Sequence, residues 1–305
     1  MKNYQELCSR IIEKIPLEKV KFSEPIKNHT YTKLGGKADV FITPSKYKEI
    51  QFILHNAYNL NVPVTILGNG SNVIVKDGGI RGITLNLKRL KKLSSLNNVI
   101  TAQSGSTLFD VSQKALINEL SGFEFACGIP GTVGGALYMN AGAYGGQISD
   151  VLERALVLTE EGEFLTLLKE DMLLGYRRGI FSERKYIVLE ADFRLEKSNY
   201  FQIKRKMDEL TLAREMKQPL EYPSCGSVFK RPPNQYAGKL IQDSGLQGVR
   251  IGGAEVSKKH AGFIINVNEA KAEDYIQLID FIKESVKEKF EVELETEVII
   301  MGEEN

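Results

Sequence analysis

The spacing of hydrophobic residues along the first ninety positions alternates between helical and extended periods. Apolar residues recur at helical spacing in "MKNYQELCSRIIEKI" (1–15) and "SKYKEIQFILHNAYNLN" (45–61), which predicts two amphipathic helices, the second with a serine N-cap. The segments "ADVFITP" (38–44) and "VPVTILG" (62–68) predict strands, and "NVIVKDGGIRGITLNL" (72–87) predicts two more around a Gly-Gly turn. These elements form a small α/β unit that ends near residue 88.

Strand and helix patterns continue through the middle of the chain. "VITAQSG" (99–105) predicts a strand, and "TLFDVSQKALINEL" (107–120) predicts a helix. After a glycine-rich stretch, "VLERALVLTEEGEFLTLL" (151–168) predicts two strands joined at a Glu-Gly turn, and "KYIVLEADFRLEK" (185–197) predicts one more. This second unit closes near residue 199.

The last hundred residues contain two long helical patterns. A segment rich in Lys, Arg and Glu predicts a helix over about 200–217, ended by Pro219, and residues 272–290 predict a strongly amphipathic helix. The alternation of apolar and acidic residues in "EVELETEVIIMG" (291–302) predicts a strand. The predicted domains are therefore residues 1–88, 89–199 and 200–305.

Composition and charge narrow the function classes. The chain has 305 residues, with 42% hydrophobic and 26% charged residues, which is ordinary for a soluble globular protein. A net charge of +1 gives no reason to expect a nucleic-acid partner. Neither a signal peptide nor an apolar run long enough to span a membrane is visible. We expect a cytoplasmic monomer that associates with neither nucleic acid nor membranes.

The cysteines and histidines form no metal-binding or disulfide pattern. Cys8, Cys127 and Cys225 are odd in number, lie far apart and include no CxxC spacing. The three histidines stand in unrelated contexts. We therefore predict no metal site, and isolated thiols fit a reducing compartment.

A glycine loop follows the strand predicted in "ILGNGSNVIV" (66–75). A Rossmann turn would have a third glycine where Val73 stands and would open a helix, and a P-loop would need Gly-Lys-Ser/Thr. What remains is a strand–turn–strand loop, whose N–H groups form either an anion site or only a tight β-turn. Spacing alone leaves both interpretations open.

The stretch "GIPGTVGGALYMNAGAYGG" (128–146) contains too many glycines for a plain helix or strand. Such a cluster indicates unusual backbone angles or close approach of the main chain to a ligand. A long surface loop would explain the glycines, but it would not explain the interleaved apolar residues Ile129, Val133, Leu137 and Met139, which require burial. Two glycine-rich loops in one α/β region predict an extended ligand that touches both.

Five motifs together resemble those of UDP-N-acetylenolpyruvoylglucosamine reductases in order and spacing: "GNGSNVIV", "GIPGTVGGALYMNAGAYG", "GYRRGIF", "SCGSVFK" and "LETEV". The resemblance extends from about residue 20 to 302. It implies an α+β protein with a two-subdomain FAD-binding region of the vanillyl-alcohol-oxidase (PCMH) type and a C-terminal α/β substrate-binding domain. It also implies reduction of UDP-N-acetylglucosamine enolpyruvate to UDP-N-acetylmuramate for peptidoglycan synthesis, with bound FAD and with NADPH as hydride donor.

The resemblance is to the shorter subtype of this family. The segment "GYRRGIFSERKYIVLEADFRL" leaves no room for the inserted tyrosine loop of the other subtype, so its nucleotide contacts must come from elsewhere. The resemblance further implies that the two glycine-rich loops hold FAD. The implied cofactor-binding residues are Gly68, Asn69, Gly70, Ser71, Asn72, Pro130, Gly131, Thr132, Gly134, Gly135, Ala136, Asn140, Ala141, Gly142 and Ala143.

The resemblance assigns the chemistry to Arg177, Ser227 and Glu297. Arg177 would stabilise the anion that forms when hydride adds to the substrate, because a guanidinium binds a carboxylate bidentately and stays charged. Ser227 would donate a proton to the adjacent carbon, and Glu297 would assist protonation or orient the intermediate. Without the resemblance, Arg177 and the acidic residues around Glu297 would be interpreted as surface charges.

Cys225 is the more obvious nucleophile in "PSCGSVFK" (223–230). No base partner is evident for it, and the implied mechanism forms no covalent protein intermediate. We therefore expect a small, buried and inert thiol. The neighbouring Gly226 would let the main chain approach a ligand closely.

The resemblance also implies contacts to the sugar nucleotide. Arg214 and Lys217 would meet the diphosphate as charge partners. Taken from the residues alone, Lys230 would polarise Ser227, bind a phosphate or, as is more usual for a lone lysine, be solvated. The full set of implied substrate-binding residues is Tyr144, Arg214, Lys217, Lys230 and His260.

Two rival functions use parts of the same pattern. Another flavoenzyme on this fold, such as an oxidase of small hydroxy acids, would lack the motifs "SCGSVFK" and "LETEV". A flavin- or nucleotide-binding module without catalysis would keep the glycine loops but would not need Arg177, Ser227 and Glu297 together.

Overall fold

A computed structural model describes residues 2–304 of the chain. Within this range it contains nine α-helices and five short 3-10 helices. The α-helices are α1 (Lys2–Lys14), α2 (Tyr47–Asn59), α3 (Leu108–Ile117), α4 (Val133–Tyr138), α5 (Ile148–Val151), α6 (Ile180–Glu183), α7 (Tyr200–Lys217), α8 (Ala237–Asp243) and α9 (Ala272–Phe290). The 3-10 helices are Leu17–Lys19, Ile26–His29, Leu87–Arg89, Glu124–Ala126 and Lys169–Met172.

The same range contains nineteen strands, most of them short. They are β1 (Val20–Pro25), β2 (Lys37–Ile42), β3 (Val64–Leu67), β4 (Val73–Val75), β5 (Ile80–Asn86), β6 (Leu93–Leu96), β7 (Val99–Gln103), β8 (Leu120–Ser121), β9 (Gly142–Ala143), β10 (Gly146–Gln147), β11 (Leu152–Leu158), β12 (Phe164–Leu168), β13 (Ile187–Arg194), β14 (Glu196–Lys197), β15 (Ser224–Ser227), β16 (Arg250–Ile251), β17 (Ala254–Val256), β18 (Phe263–Asn266) and β19 (Ile299–Met301).

The predicted long helices are confirmed, because α1, α2, α3, α7 and α9 lie within the expected segments. The expected serine N-cap of α2 is wrong by one residue. Lys46 is the N-cap, and the Glu49 carboxylate in the first turn accepts the N–H groups of Ser45 and Lys46 at 2.8 and 3.3 Å. A carboxylate at this position both satisfies free N–H groups and interacts favourably with the helix dipole.

Contacts between residues divide the chain into two compact units, each made of separated segments. The first unit contains the chain up to Phe22, then Val40–Asn69 and Gly82–Arg214. The second unit contains Ser23–Asp39, Gly70–Arg81 and the chain from Glu215 onward. The sequence predicts three contiguous domains instead, and that division remains a prediction.

The first unit is built around a five-stranded antiparallel sheet in the order β12-β11-β13-β7-β6. Its inner face packs with α3 and α4 around a core that includes Ile100, Phe123 and Phe193. A second core joins α1 and α2 to β5 through residues such as Ile11 and Ile53. A four-stranded sheet has the order β1-β2-β5-β3, and the chain crosses between units within β1, β2 and β5.

The second unit is built around a four-stranded antiparallel sheet in the order β15-β18-β17-β16. Helix α9 packs on β16 and β17, and its buried face includes Tyr275 and Ile282. The same core takes in Leu34 and Ile74 from the amino-terminal segments of this unit. Strand β4 pairs in parallel with β19, with Val73 opposite Ile299.

Two sequence predictions need correction. Residues 291–302 were expected to form one strand, but only Ile299–Met301 do so, with one isolated bridge at Thr296. The alternation of residue types reflects burial of Leu294 and Val298 and not a continuous ladder. The glycine-rich stretch was expected to avoid helical structure, yet it contains α4, because Val133, Ala136 and Leu137 bury one face of that short helix.

None of the helices within residues 2–304 combines the length and the apolar character that a bilayer crossing requires.

Candidate active site

The two glycine-rich loops contact each other in the first unit. The Asn69 side-chain amide donates to the carbonyl oxygen of Pro130 at 2.8 Å. A Cβ atom on Gly68 would lie only 2.5 Å from Thr132 Oγ1, so the threonine side chain packs against the bare face of this glycine. We call this pair of segments, residues 68–69 and 130–136, the glycine cradle.

The cradle is held in place by its polar neighbours. The Asn86 amide, at the end of β5, donates to the carbonyl oxygen of Gly68 at 3.0 Å. On the other side, the N–H groups of Val133 and Gly134 donate to the carbonyl oxygens of Ser106 and Ser104, each at 2.9 Å. These bonds connect both loops to the ends of strands in the sheets behind them.

The surface of the cradle is bare main chain. Gly135 is exposed, and a Cβ added there would contact only Thr132 Oγ1, at 3.7 Å. Gly68, Asn69, Gly131 and Gly134 are partly exposed. Main chain without side chains allows N–H groups to approach phosphate oxygens, which is how glycine-rich loops bind anions. The first glycine loop therefore faces a second segment of bare main chain.

Asn140 organises the chain after α4 through its side chain. It is buried with φ +45°, its amide donates to Gly175 O at 3.0 Å, and its Oδ1 accepts the N–H of Ser149 at 2.9 Å. Next along the chain, β9 and β10 form a hairpin whose tip is Tyr144 and Gly145, with φ values of +53° and +87°. Positive φ at both tip residues is typical of a type I′ turn. The turn leaves Tyr144 45% exposed.

Arg177 occupies a strained position next to this hairpin. Gly175 and Arg178 exchange main-chain hydrogen bonds at 3.1 and 3.3 Å, and Arg177 is the third residue of the turn with φ +55°. Glycine usually fills that position, so an arginine there carries a conformational cost. Its Nη2 donates to Gly142 O at 3.2 Å, and its guanidinium lies 5.2 Å from the centre of the Tyr176 ring. The predicted residues Arg177 and Gly142 therefore lie together.

Arg214 lies beside the beginning of the second glycine stretch. A Cβ added to Gly128 would be 2.9 Å from Arg214 Cδ, so the arginine side chain crosses the bare face of that glycine. Lys217 is exposed at the last residue of α7. The structure thus places Arg214, but not Lys217, against a glycine-rich segment of its own unit.

Ser227 lies at a bulge in the sheet of the second unit. Ser224 pairs with Ile265 and Ser227 pairs with Phe263, so four residues of β15 lie opposite three of β18. Gly226 takes φ +77° within the bulge, and no heavy atom would lie within 4 Å of an added Cβ. A glycine in the left-handed region is typical of a bulge that redirects a neighbouring side chain. Here that neighbour is Ser227.

Glu297 is hydrogen-bonded through its main chain to the segment that carries Ser227. Its N–H donates to Val228 O at 2.7 Å, Phe229 bridges Thr296, and Lys230 N donates to Glu295 O at 2.9 Å. Residues 228–230 and 295–297 therefore run antiparallel to each other without forming a regular strand pair. The predicted residues Ser227 and Glu297 are brought together in this way.

The structure confirms the expectation that the Cys225 thiol is buried. It is 2% exposed, and burial raises the pKa of the thiol to about 12, with a smaller contribution from the negative charge of Glu297. A thiol with this pKa stays protonated at neutral pH and is a poor nucleophile.

Lys230 and His260, the remaining predicted substrate contacts of the second unit, have different surroundings. Lys230 Nζ makes an exposed ion pair with Glu295 at 3.1 Å. His260 is half-buried, and its ring packs against Phe263 with centroids 4.8 Å apart. Burial lowers the pKa of His260, and its Nδ1 accepts the N–H of Gly262 at 3.1 Å. The neutral ring therefore carries its proton on Nε2 and is a hydrogen-bond donor there.

The second half of the first glycine loop belongs to the second unit. Gly70 O accepts the N–H of Tyr31 at 2.9 Å. The Asn72 side-chain amide donates to Glu297 O at 3.2 Å, and Asn72 O accepts the N–H of Ile299 at 3.1 Å. The family resemblance implies that Asn72 contacts the cofactor, and in the structure its amide bonds the main chain of a predicted catalytic residue.

Sequence reasoning missed Asn86, which holds Gly68. An asparagine inside the apolar segment "GITLNL" could have indicated its role, because a buried amide in a strand needs hydrogen-bond partners. Among residues 2–304, no group of three or more His, Cys, Asp or Glu side chains is arranged to hold a metal ion.

Comparisons with known families match both parts of the chain. The model of the UDP-N-acetylenolpyruvoylglucosamine reductase C-terminal domain matches residues 218–301, and that of an FAD binding domain matches residues 38–168. The chain is 61% identical over 303 residues to the UDP-N-acetylenolpyruvoylglucosamine reductase of Shouchella clausii (strain KSM-K16), covering 99% of this chain and 97% of that protein. It is 59% identical over 301 residues to UDP-N-acetylenolpyruvoylglucosamine reductase 2 of Bacillus anthracis, covering 99% of each.

Solved structures give the same result for the fold. The crystal structure of UDP-N-acetylenolpyruvylglucosamine reductase from Thermus caldophilus matches with a TM-score of 0.79 and 32% identity, covering 91% of this chain and 97% of that one. Phl p 4, a grass pollen allergen with glucose dehydrogenase activity, matches with a TM-score of 0.51 and 14% identity, covering 64% of this chain and 44% of that one. This second likeness concerns the fold alone. Together the matches confirm the predicted α+β class, with an FAD-binding region of the vanillyl-alcohol-oxidase (PCMH) type.

Proposed function

The chain belongs to the family of UDP-N-acetylenolpyruvoylglucosamine reductases, and on that premise we propose that Arg177, Ser227 and Glu297 carry out its substrate chemistry. The family activity is the NADPH-dependent, FAD-mediated reduction of UDP-N-acetylglucosamine enolpyruvate to UDP-N-acetylmuramate in peptidoglycan precursor synthesis. The observation that carries the proposal is the 2.7 Å hydrogen bond from Glu297 N to Val228 O. This bond joins Glu297, which carries a carboxyl group, to the segment that contains Ser227, which carries a hydroxyl group.

The glycine cradle would hold the diphosphate of FAD against main-chain N–H groups. When bound, FAD supplies the hydride chemistry, accepting a hydride from NADPH and passing it to the substrate double bond. The exposed face of Gly135 and the contact between Asn69 and Pro130 support this placement. The remaining candidates for cofactor contact are Gly70, Ser71, Asn72 and the segment from Asn140 to Ala143.

Arg177 would bind the carboxylate of the enolpyruvyl group. Hydride addition to the terminal carbon drives electron density into that carboxylate, so the negative charge next to a fixed guanidinium increases along the reaction. A preorganised cation at the place where charge develops lowers the barrier, because it needs no reorganisation during the step. The turn that fixes the backbone of Arg177 and its bond to Gly142 O support such preorganisation.

Ser227 would donate its hydroxyl proton to the carbon that carries the carboxylate. Glu297 would assist by placing its carboxyl group beside that hydroxyl or beside the intermediate. The bulge at Gly226 supports this role, because it turns the following side chain out of the regular alternation of β15. The Cys225 thiol takes no part, since burial raises its pKa to about 12.

The nucleotide contacts would come from Tyr144, Arg214, Lys217, Lys230 and His260. Because burial keeps the imidazole neutral, His260 would act as an Nε2–H donor and not as a cation. Arg214 and Lys217 would pair with the diphosphate. The exposed Tyr144 at its hairpin tip would contact the sugar or the base.

The setting of the reaction is also a proposal. We place the enzyme in the cytoplasm as a monomer, without nucleic-acid or membrane partners, because NADPH and nucleotide sugars are cytoplasmic and because its three cysteines are free thiols. The division into residues 1–88, 89–199 and 200–305 would correspond to two cofactor subdomains and one substrate domain.

One experiment tests the function directly. The purified protein is expected to show a flavin absorption spectrum and to oxidise NADPH only when UDP-N-acetylglucosamine enolpyruvate is present. A colourless protein that binds no added FAD, or a rate of NADPH oxidation that does not depend on the sugar nucleotide, would refute the assignment. A small hydroxy acid is the control substrate for the rival oxidase function, and it should give no turnover.

A further inference from the structure

We infer that Asn72 is a positioning residue for Glu297, in addition to its place in the first glycine loop. The inference rests on the proposed role of Glu297 in protonation. No substrate or cofactor contact of Asn72 is needed for it. The evidence lies entirely within the second unit.

The contacts of Asn72 span two successive points of the carboxy-terminal segment. Its side-chain amide donates to Glu297 O at 3.2 Å, and its main-chain O accepts the N–H of Ile299 at 3.1 Å. Residue 73 then begins the parallel pairing of β4 with β19, in the register Val73–Ile299. Asn72 therefore immediately precedes the regular pairing, and its side-chain bond to Glu297 O reaches two residues beyond the end of that pairing at Ile299.

This extension matters because Glu297 lies outside any strand. Residues 292–298 contain only one isolated bridge, at Thr296, so no continuous ladder fixes the main chain at position 297. The Glu297 N–H is bonded to Val228 O, on the side of Ser227, and the Glu297 carbonyl is bonded to Asn72. The peptide groups on both sides of Glu297 are thus anchored, one by the serine segment and the other by Asn72.

A shift of this main chain changes the position of the Glu297 carboxyl group. The carboxylate already lies close enough to β15 for its charge to raise the pKa of Cys225, two residues before Ser227. Small displacements of a general acid or its partner reduce the rate of proton transfer strongly. Asn72 would therefore act on the protonation step through Glu297, whereas hydride transfer from NADPH would not require it.

The test is a double-mutant cycle with two half-reactions measured separately. FAD-saturated Asn72→Ala should be reduced by NADPH within about threefold of the wild-type rate. Reoxidation of the reduced enzyme by UDP-N-acetylglucosamine enolpyruvate should slow by about 10- to 100-fold, in the range of a misplaced catalytic group. In the Glu297→Gln background the same substitution should cause little further loss, because residues that act as a unit are not additive.

A matched control separates positioning from cofactor binding. Asn69→Ala removes an amide from the same loop, but that amide bonds Pro130 and not Glu297. Its effect should be the same in the wild-type and Glu297→Gln backgrounds. FAD affinity, measured by quenching of flavin fluorescence, should be determined for every variant, and a thermal melt should establish that each one folds.

Distinct outcomes overturn distinct claims. If Asn72→Ala slows both half-reactions equally, or if its loss adds fully to that of Glu297→Gln, the positioning role is wrong. If Glu297→Gln itself reoxidises at the wild-type rate, the proposed role of Glu297 fails and the positioning role fails with it. If the wild-type enzyme is not reoxidised by the sugar nucleotide at all, the proposed function fails.

Discussion

The glycine cradle of the first unit and the serine segment of the second unit are built in opposite ways. The cradle presents main chain, because Gly68 and Gly135 carry no side chains and the loops meet at 2.8 Å through Asn69 and Pro130. The serine segment presents side chains on backbone that is irregular but hydrogen-bonded, with a bulge at Gly226 and a short antiparallel contact to residues 295–297.

This difference corresponds to the two tasks of a cofactor-dependent reductase. Binding a diphosphate needs several N–H groups and space, which main chain supplies without regard to side-chain identity. Protonating carbon needs one hydroxyl and one carboxyl group at fixed positions, which only particular side chains supply. Substitutions in the two regions should therefore differ in which property they change, namely cofactor affinity in the cradle and one half-reaction in the serine segment.

The largest expected effect is that of Ser227→Ala. Reoxidation by the enolpyruvyl substrate should slow by about 100- to 10,000-fold, the usual contribution of a general acid, while NADPH should still reduce the bound flavin. Stopped-flow absorbance of the flavin follows both half-reactions. Ser224→Ala, on the other side of the same bulge, is the control and should change neither rate by more than a few-fold. Equal losses in both half-reactions would contradict the proton-donor role.

Arg177→Ala should have the next largest effect. Loss of one preorganised cation at a developing anion reduces the rate by about 100- to 1,000-fold, again in the reoxidation half-reaction. Arg178→Ala tests the same turn with an exposed neighbour and should stay within a few-fold of wild type. If the Arg178 variant lost as much activity as the Arg177 variant, the turn and not the Arg177 guanidinium would be responsible.

Two glycine substitutions test the role of the cradle. Gly68→Ala forces a methyl group to 2.5 Å from Thr132 Oγ1, so we expect a loss of about 1–3 kcal/mol in the stability of the apoprotein as well as weaker FAD binding. Gly135→Ala has room for its methyl group in α4 and should stabilise the apoprotein by about 0.5–1 kcal/mol, while the same methyl weakens FAD binding by about tenfold or more.

Thermal melts of the apoprotein and fluorescence titrations with FAD measure these two properties separately. A Gly135→Ala protein that is more stable and binds FAD as tightly as wild type would remove Gly135 from the cofactor site. Neither substitution should alter the ratio of the two half-reaction rates once FAD is saturating.

Cys225→Ala should have the smallest effect at neutral pH, with both half-reactions close to wild type. The substitution should change the stability of the protein at alkaline pH. The folded thiol has a pKa of about 12, against 9.0 for an unperturbed thiol, so the unfolded state loses its proton first as the pH rises. Stability from this group is therefore complete below pH 9 and falls between about pH 9 and 12, by up to about 1.4 kcal/mol per pH unit.

Urea melts from pH 8 to 11 should show a smaller alkaline loss for Cys225→Ala than for wild type. Identical pH dependence in the two proteins would mean that the thiol is not buried. Labelling of the folded protein at pH 8 with a thiol reagent should also spare Cys225, whereas the partly exposed Cys8 should react.

Local patterns in the sequence predicted the elements whose signal is local. Helix α9 was predicted at its observed bounds because its apolar face recurs every three to four residues over nineteen positions. Residues 291–298 were predicted wrongly, because alternation records which side chains are buried and does not identify a pairing partner. The partner of β19 is β4, more than two hundred residues earlier, and no local signal connects them.

The same limit applies to the site. Motifs identified Arg177, Ser227 and Glu297 as candidates, and the structure places Ser227 and Glu297 on hydrogen-bonded segments. The left-handed backbone of Arg177 and the hydrogen bond from Asn72 to the carbonyl of Glu297 depend on tertiary contacts. Residue type alone does not reveal either of them.

The segmented composition of the second unit has a consequence for how the protein is made. Its core includes Leu34 and Ile74, and its β4 strand ends at residue 75, yet its sheet and α9 are encoded after residue 223. During translation these early segments leave the ribosome long before their partners and must wait for them. A fragment that begins at residue 218 lacks part of its own interior, so cutting the gene at that point would not yield an independently folding module.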